Sequence, residues 1–211
     1  MAPAHLAEIE RHLRDRAPTV APHEPRSRAA VAMVLAPAEA ELQLLLIKRA
    51  EHPLDPWSGH MALPGGRHDA NDADLVGTAI RETAEEVGID LARDGALVTR
   101  LDDMQAVAQG RNLDMVISPF LFRVDRPLPT NIDRSEVADA LWVPMEVFRD
   151  GRFHGSINFT RDGYQVEYPA FVYREHKVWG LTYRMIRGFL DTLELVGAAD
   201  PATAPRAAVV A

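Results

Sequence analysis

The chain has 211 residues, 47% hydrophobic and 26% charged, which suits one globular domain with a sizeable core and some tail. It contains no cysteine, so disulfides, thiolate metal sites and a cysteine nucleophile are excluded. A formal net charge of −8 argues against nucleic acid as a bulk partner, because neutralising phosphates needs clustered Lys and Arg.

Residues 4–16 carry Leu6, Ile9 and Leu13 at helical spacing and predict a short N-terminal helix. Residues 17–28 hold three prolines and read as a linker or an ordered extended arm. Two apolar runs, 29–35 and 41–48, flank a Pro-Ala-Glu turn region and predict a hairpin. Residues 51–66 are rich in Pro, Gly, Trp and His and predict an irregular loop around a short strand at 60–63. A helix is expected over 73–87, capped by Asp72 or Asp74 and closed by Gly88 in the left-handed conformation. Val76, Ile80 and Val87, with Ala79 and Ala84, should face a core while the acids face out. Strands follow at 97–107 and 113–124, then an edge strand at 137–143 and a short helix at 144–149. Residues 153–173 predict two or three short strands, and 180–195 an amphipathic helix with Met185, Ile186, Phe189, Leu190 and Leu193 on a core or dimer face. From 196 the chain is rich in Ala and Pro and is expected to be disordered. The division is therefore an N-terminal helix and linker (1–28), a central domain (29–195) and a tail (196–211). The class is α+β, with helices on a mixed sheet. The N-terminus lacks an apolar signal core and no run approaches the roughly 18 apolar residues of a membrane span, so a cytoplasmic location without a membrane partner is expected.

The chemistry concentrates in Arg81-Glu82-Thr83-Ala84-Glu85-Glu86-Val87-Gly88-Ile89-Asp90. Glu82, Glu85 and Glu86 share one helix face at i, i+3 and i+4. Such a cluster persists either because water solvates it or because a divalent cation neutralises it. The upstream turn Leu63-Pro64-Gly65-Gly66 can bring backbone carbonyls close to a ligand. Carboxylate and carbonyl oxygens with water positions left open suit Mg²⁺ beside a phosphate. The suggested reaction is metal-assisted hydrolysis of a phosphate anhydride.

From Gly66 to Ile89 the chain resembles the Nudix box, in which Gly, five residues and Glu precede seven residues and Arg-Glu-apolar-any-Glu-Glu-any-Gly-apolar. Arg81, Glu82, Glu85, Glu86, Gly88 and Ile89 match. Asp72 stands where the first Glu is expected, eight residues separate it from Arg81, and Thr83 replaces an apolar residue. The first two departures are a variation of the coenzyme A pyrophosphatase-like branch. Leu46-Ile47-Lys48-Arg49-Ala50, Ser58-Gly59-His60-Met61-Ala62-Leu63-Pro64-Gly65-Gly66, Leu141-Trp142-Val143-Pro144 and Val178-Trp179-Gly180-Leu181-Thr182 are similar to segments of that branch. Leu54 stands where the branch usually carries a basic residue.

The resemblance implies a Nudix fold, an α/β/α sandwich around a mixed β-sheet. It implies Mg²⁺ or Mn²⁺ and hydrolysis of a nucleoside diphosphate linked to another moiety, with coenzyme A or a derivative favoured. Carried over by position, Glu82, Glu85, Glu86 and the Gly65 carbonyl would hold metal, and Arg81 would orient the glutamates. Glu82 and Glu136 are the candidates for taking a proton from water. Arg49, Gly66 and Trp57 are the candidates for substrate binding. The partner is a small nucleotide, and a homodimer is common in the family. Alternatives are hydrolysis of ADP-ribose, a dinucleotide or a nucleoside triphosphate, and a Nudix-fold module that binds a nucleotide without cleaving it. A prenyl diphosphate isomerase on the same fold would call for a cysteine that this chain lacks.

Overall fold

Strand β1 (Ser27–Pro37) lies between two hydrophobic cores and sends alternate side chains into each. Ala29, Met33 and Leu35 enter one core, while Ala30, Ala32, Val34 and Ala36 enter the other. The computed structural model describes residues 2–22, 25–39, 41–53, 55, 57–108, 111–161 and 164–198. Strand β2 (Leu42–Arg49) pairs with β1 antiparallel, with Leu44 opposite Leu35, which is the expected hairpin. On its other side β1 runs parallel to β7 (Arg111–Val124), with Ala29 opposite Ile117. Strand β8 (Val137–Pro144) pairs with β2 as the expected edge strand. The sheet is therefore mixed.

Helices cover both faces, among them the short α3 (Leu91–Asp94) and α4 (Glu146–Arg149). Helix α1 (Ala2–Leu13) buries Leu6, Ile9 and Leu13 in the same core as Met185, Ile186, Phe189 and Leu190 of helix α5 (Gly180–Ala198). Helix α2 (Leu75–Val87) packs Ala79 and Val87 into the opposite core. This is the α/β/α sandwich. Two short strands, β3 (Met61–Ala62) and β4 (Gly65–Arg67), lie beside β2 and β1 and set the glycine turn against the sheet. A second sheet follows, made of β9 (His154–Arg161), β10 (Tyr164–Tyr173) and β11 (His176–Trp179).

Three expectations are corrected. The strand expected over 97–107 is two, β5 (Gly95–Arg100) and β6 (Met104–Ala108), both paired with β7. The break has a physical cause, because the acids within it bind the N-terminal arm. Asp102 accepts from the Arg16 guanidinium and the Thr19 amide, and Asp103 accepts from the Ala21 amide at 3.0 Å. The described part of that segment is thus an ordered arm. Second, α5 runs to Ala198, past the expected start of the tail, and the rest of that tail lies outside the described residues. Third, Ala84 is exposed and Thr83 buried, with the Thr83 hydroxyl donating to the Ala79 carbonyl at 2.7 Å. The backbone bond lets a polar residue stand where an apolar one was expected.

Leu13 has no exposed surface. Leu13→Ala should lose roughly 2–5 kcal/mol of stability, read from a chemical denaturation midpoint. Wild-type stability in that variant would contradict the placement of α1 in the core.

Candidate active site

Asp74 caps α2, accepting from the Gly77 amide at 2.7 Å, and Gly88 closes the helix with φ 70°. The helix lies against β4, so its acids meet the glycine turn. The expectation that these acids all face out is corrected: Glu86 is only 2% exposed and Glu82 14%. They turn inward because the turn offers a backbone donor and has no side chains in the way. The Gly65 amide donates to Glu86 Oε2 at 2.9 Å. A Cβ on Gly66 would stand 2.4 Å from Glu82 Cδ, and one on Gly65 2.3 Å from the Ala30 carbonyl oxygen. Only glycine permits this approach. Glu85 is different, with 58% of its side chain exposed.

Arg81 ties the cluster together. Its Nε and Nη2 donate to the two oxygens of Asp72 at 2.8 and 3.0 Å. Its Nη1 lies 2.8 Å from Glu85 Oε2 and 2.9 Å from Glu82 Oε1. Asp72 therefore acts as the anchor of Arg81 while Asp74 is the cap. The Asp72 carboxyl also accepts from the Thr78 hydroxyl at 2.8 Å and the Asp69 amide at 3.0 Å. The Arg81 hydrogen bonds hold Asp72 well below the usual carboxylate range.

Burial pushes the Glu86 carboxyl up to about 8, against the pull of the Gly65 amide and Arg49, and nearby Glu82 and Glu136 add to the rise. Burial also raises Glu82, with Arg81 opposing. Arg49 donates through Nε to Asp55 at 2.8 Å, and its Nη1 lies 3.9 Å from Glu86 Oε1. Asp55 sits below its ordinary value: burial raises it, but the Trp57 amide and Arg49 outweigh that.

These groups open onto a cavity of about 420 Å³, lined by Glu82, Glu86, Glu136, Arg49, Gly65, Gly66 and Trp57 among others. That size suits a small-molecule ligand. Of the candidate site residues taken from sequence, Arg81 and Glu85 are outside the lining, and the rest are on it. Glu136 is held beside Arg49 by the Ala50 amide, which donates to its carbonyl at 2.8 Å. The Trp57 indole donates to the Val107 carbonyl at 3.4 Å. Leu54 lies outside the described residues. Sequence reasoning missed Arg67, Asp55 and Met115 in the lining. Arg67 directly follows the glycine pair and could have been found from that position. Met115 enters only through the β1–β7 pairing and left no local signal.

The NUDIX domain pattern matches residues 26–162. The chain belongs to the Nudix family. An uncharacterized Nudix hydrolase NudL of Yersinia pestis is 30% identical over 162 residues, covering 76% of this chain and 77% of that protein. An uncharacterized protein of Schizosaccharomyces pombe is 35% identical over 151 residues, covering 63% of this chain but only 46% of the relative, so this chain spans about half its length. The solved Caenorhabditis elegans Ap4A hydrolase superposes with TM-score 0.52 at 18% identity, covering 80% of this chain and 98% of that one. The Mycobacterium smegmatis Nudix hydrolase RenU gives 0.51 at 20% identity, covering 89% and 92%. These likenesses show the Nudix fold. This protein is a member of the Nudix hydrolase family. No helix among its described residues is long and apolar enough to cross a membrane.

The Asp72–Arg81 pair gives a pH test. Asp72 is lowered in the folded state, so its contribution is full above its ordinary 3.8 and fades as pH falls toward the folded value. Asp72→Asn should cost on the order of 1–3 kcal/mol at neutral pH. The melting-temperature gap to wild type should narrow below pH 4. A gap that stays constant down to pH 2 would contradict the ion pair.

Proposed function

We propose that this Nudix hydrolase is a metal-dependent pyrophosphohydrolase that cleaves the diphosphate of a nucleoside diphosphate linked to another moiety, with coenzyme A or a derivative favoured. One observation carries the reading: two nearly buried glutamates and a side-chain-free glycine turn meet at a cavity that also presents Arg49. Buried carboxylates without enough positive charge are costly, and the raised Glu86 reflects that cost.

The residues fit a hard divalent cation. The donors are all oxygens, and the unmet charge at Glu86 and Glu82 is negative. Among the described residues no three acidic or histidine side chains stand together as a complete metal site, so an ion here would draw further oxygens from backbone, water or phosphate. Mg²⁺ or Mn²⁺ accepts such mixed oxygen donors. Glu82, Glu85, Glu86 and the Gly65 carbonyl would hold it. Bound there, it would neutralise diphosphate charge and lower the pKa of a water.

The chain's own residues supply the remainder. Arg81 fixes Glu82 and Glu85 in direction through charge-assisted bonds. Arg49 and Arg67 offer positive charge to the diphosphate from the cavity lining. Water attacks one phosphorus, the bridging P–O bond breaks, and the departing phosphate takes the electron pair. Glu82 or Glu136 accepts the water's proton. Gly66 presents backbone alone to the cavity and leaves room for Glu82, with which any side chain there would collide. Trp57 walls the pocket beside the departing moiety.

Coenzyme A is favoured by the Asp72 spacing variation and by the segments around Trp142 and Trp179. Intact glutamates favour turnover over mere nucleotide binding. Glu86→Gln should keep the fold and lower kcat on the order of 10²–10³-fold. A panel of coenzyme A, ADP-ribose, NADH and dinucleoside polyphosphates, compared by kcat/KM with Mg²⁺, tests the substrate. Retained turnover in Glu86→Gln would overturn the metal reading. Coenzyme A ranking far below the others would overturn the substrate and leave the hydrolase.

A further inference from the structure

Two acids flank the Arg49 guanidinium, and it is bonded to one of them. Its Nε donates to Asp55 Oδ2 at 2.8 Å, whereas its Nη1 stops 3.9 Å from Glu86 Oε1, too far for a hydrogen bond. Charge alone does not account for that preference. Glu86 is nearly buried and under-neutralised, and a guanidinium is the group that would relieve it.

The loop around Asp55 is organised to hold Nε. The second carboxylate oxygen, Oδ1, accepts from the Trp57 amide at 3.0 Å, so one side chain joins Arg49 to Trp57, and all three line the cavity. The Asp55 amide donates to the His52 carbonyl, and the Asp55 carbonyl accepts from the Ser58 amide, each at 3.1 Å. The Arg49 amide donates to the His60 carbonyl at 3.0 Å and fastens the two ends of the loop together. Other titratable groups of the loop do not take over the task. The Glu51 carboxylate accepts from the Ser58 hydroxyl at 2.9 Å. Burial holds the His60 imidazole below its ordinary value, so it is mostly neutral at pH 7.

We infer that Asp55 is a positioning residue: by holding Arg49 through Nε it keeps that guanidinium off Glu86, leaving the glutamate open to a divalent ion and the Arg49 Nη groups open to a substrate phosphate. The inference rests on the metal-dependent hydrolase reading above. Without the Asp55 charge, Arg49 closes the gap onto Glu86. That single ion pair then occupies a metal ligand and a phosphate donor together.

Calorimetric titration of the metal-free full chain with Mn²⁺ alone reads the effect without turnover. Asp55→Asn should weaken Mn²⁺ binding roughly tenfold, as expected for coupling within one ion-pair network. Arg49→Gln should not weaken it. Added to Arg49→Gln, Asp55→Asn should leave the affinity unchanged, because nothing remains for Asp55 to restrain. A role of Asp55 in loop structure alone, or through its charge at a distance, would persist in the double variant and would overturn the inference. So would wild-type Mn²⁺ affinity in folded Asp55→Asn. Asp55→Ser gives the same readout if Asp55→Asn does not fold. Wild-type crystals with Mn²⁺ and a methylene-bridged ADP analogue decide independently of any variant. Arg49 Nε should remain on Asp55 with an Nη on a phosphate oxygen, and Arg49 paired with Glu86 instead would overturn the inference while leaving the hydrolase reading standing. A wild-type chain that binds no Mn²⁺ would overturn both.

Discussion

The hydrogen bond from the Gly65 amide to the Glu86 carboxyl joins a turn in one part of the chain to a helix 21 residues later. It takes an acid almost out of water, and burial makes that acid hard to ionise. The glycine pair and the capped helix both serve this contact. Gly65 and Gly66 admit the helix because any Cβ would collide with β1 or with Glu82. Asp74 and Gly88 fix where α2 starts and ends, and hence which carboxylates meet the turn. Arg81, held by Asp72, stops Glu82 from turning away.

An acidic protein that handles a polyanion needs charge of the other sign brought in locally. Arg49 and Arg67 stand at the cavity, while Arg81 is committed to Asp72, Glu82 and Glu85. That distribution leaves the buried acids under-neutralised, which is the electrostatic basis for assigning them a divalent ion. The three box glutamates differ in surroundings: Glu82 and Glu86 line the cavity, and Glu85, more than half exposed, pairs with Arg81 at 2.8 Å.

Sequence periodicity located the acid-bearing helix, its glycine stop, the hairpin and the C-terminal amphipathic helix, because each follows from local pattern. It misjudged what depends on distant partners. The break at 101–103 reads as continuous strand until Arg16, Thr19 and Ala21 are seen binding Asp102 and Asp103. Glu86 reads as facing away from the core until the Gly65 amide is placed beside it. Asp72 reads as a turn residue, and its role as the Arg81 anchor appears only when β4, the loop and α2 come together. The methionines of the cavity lining were the least legible part. Met61, Met115 and Met185 are far apart in the chain and meet only through β3, β7 and α5.

Diffraction at the manganese edge, from crystals grown with Mn²⁺ and a methylene-bridged ADP analogue that resists cleavage, addresses the charge deficit directly. Anomalous density touching the Glu82 and Glu86 carboxylates, with the analogue's phosphates alongside, is the expected result. Saturated crystals in which both carboxylates keep their protein contacts, with ion and analogue bound elsewhere, would contradict it.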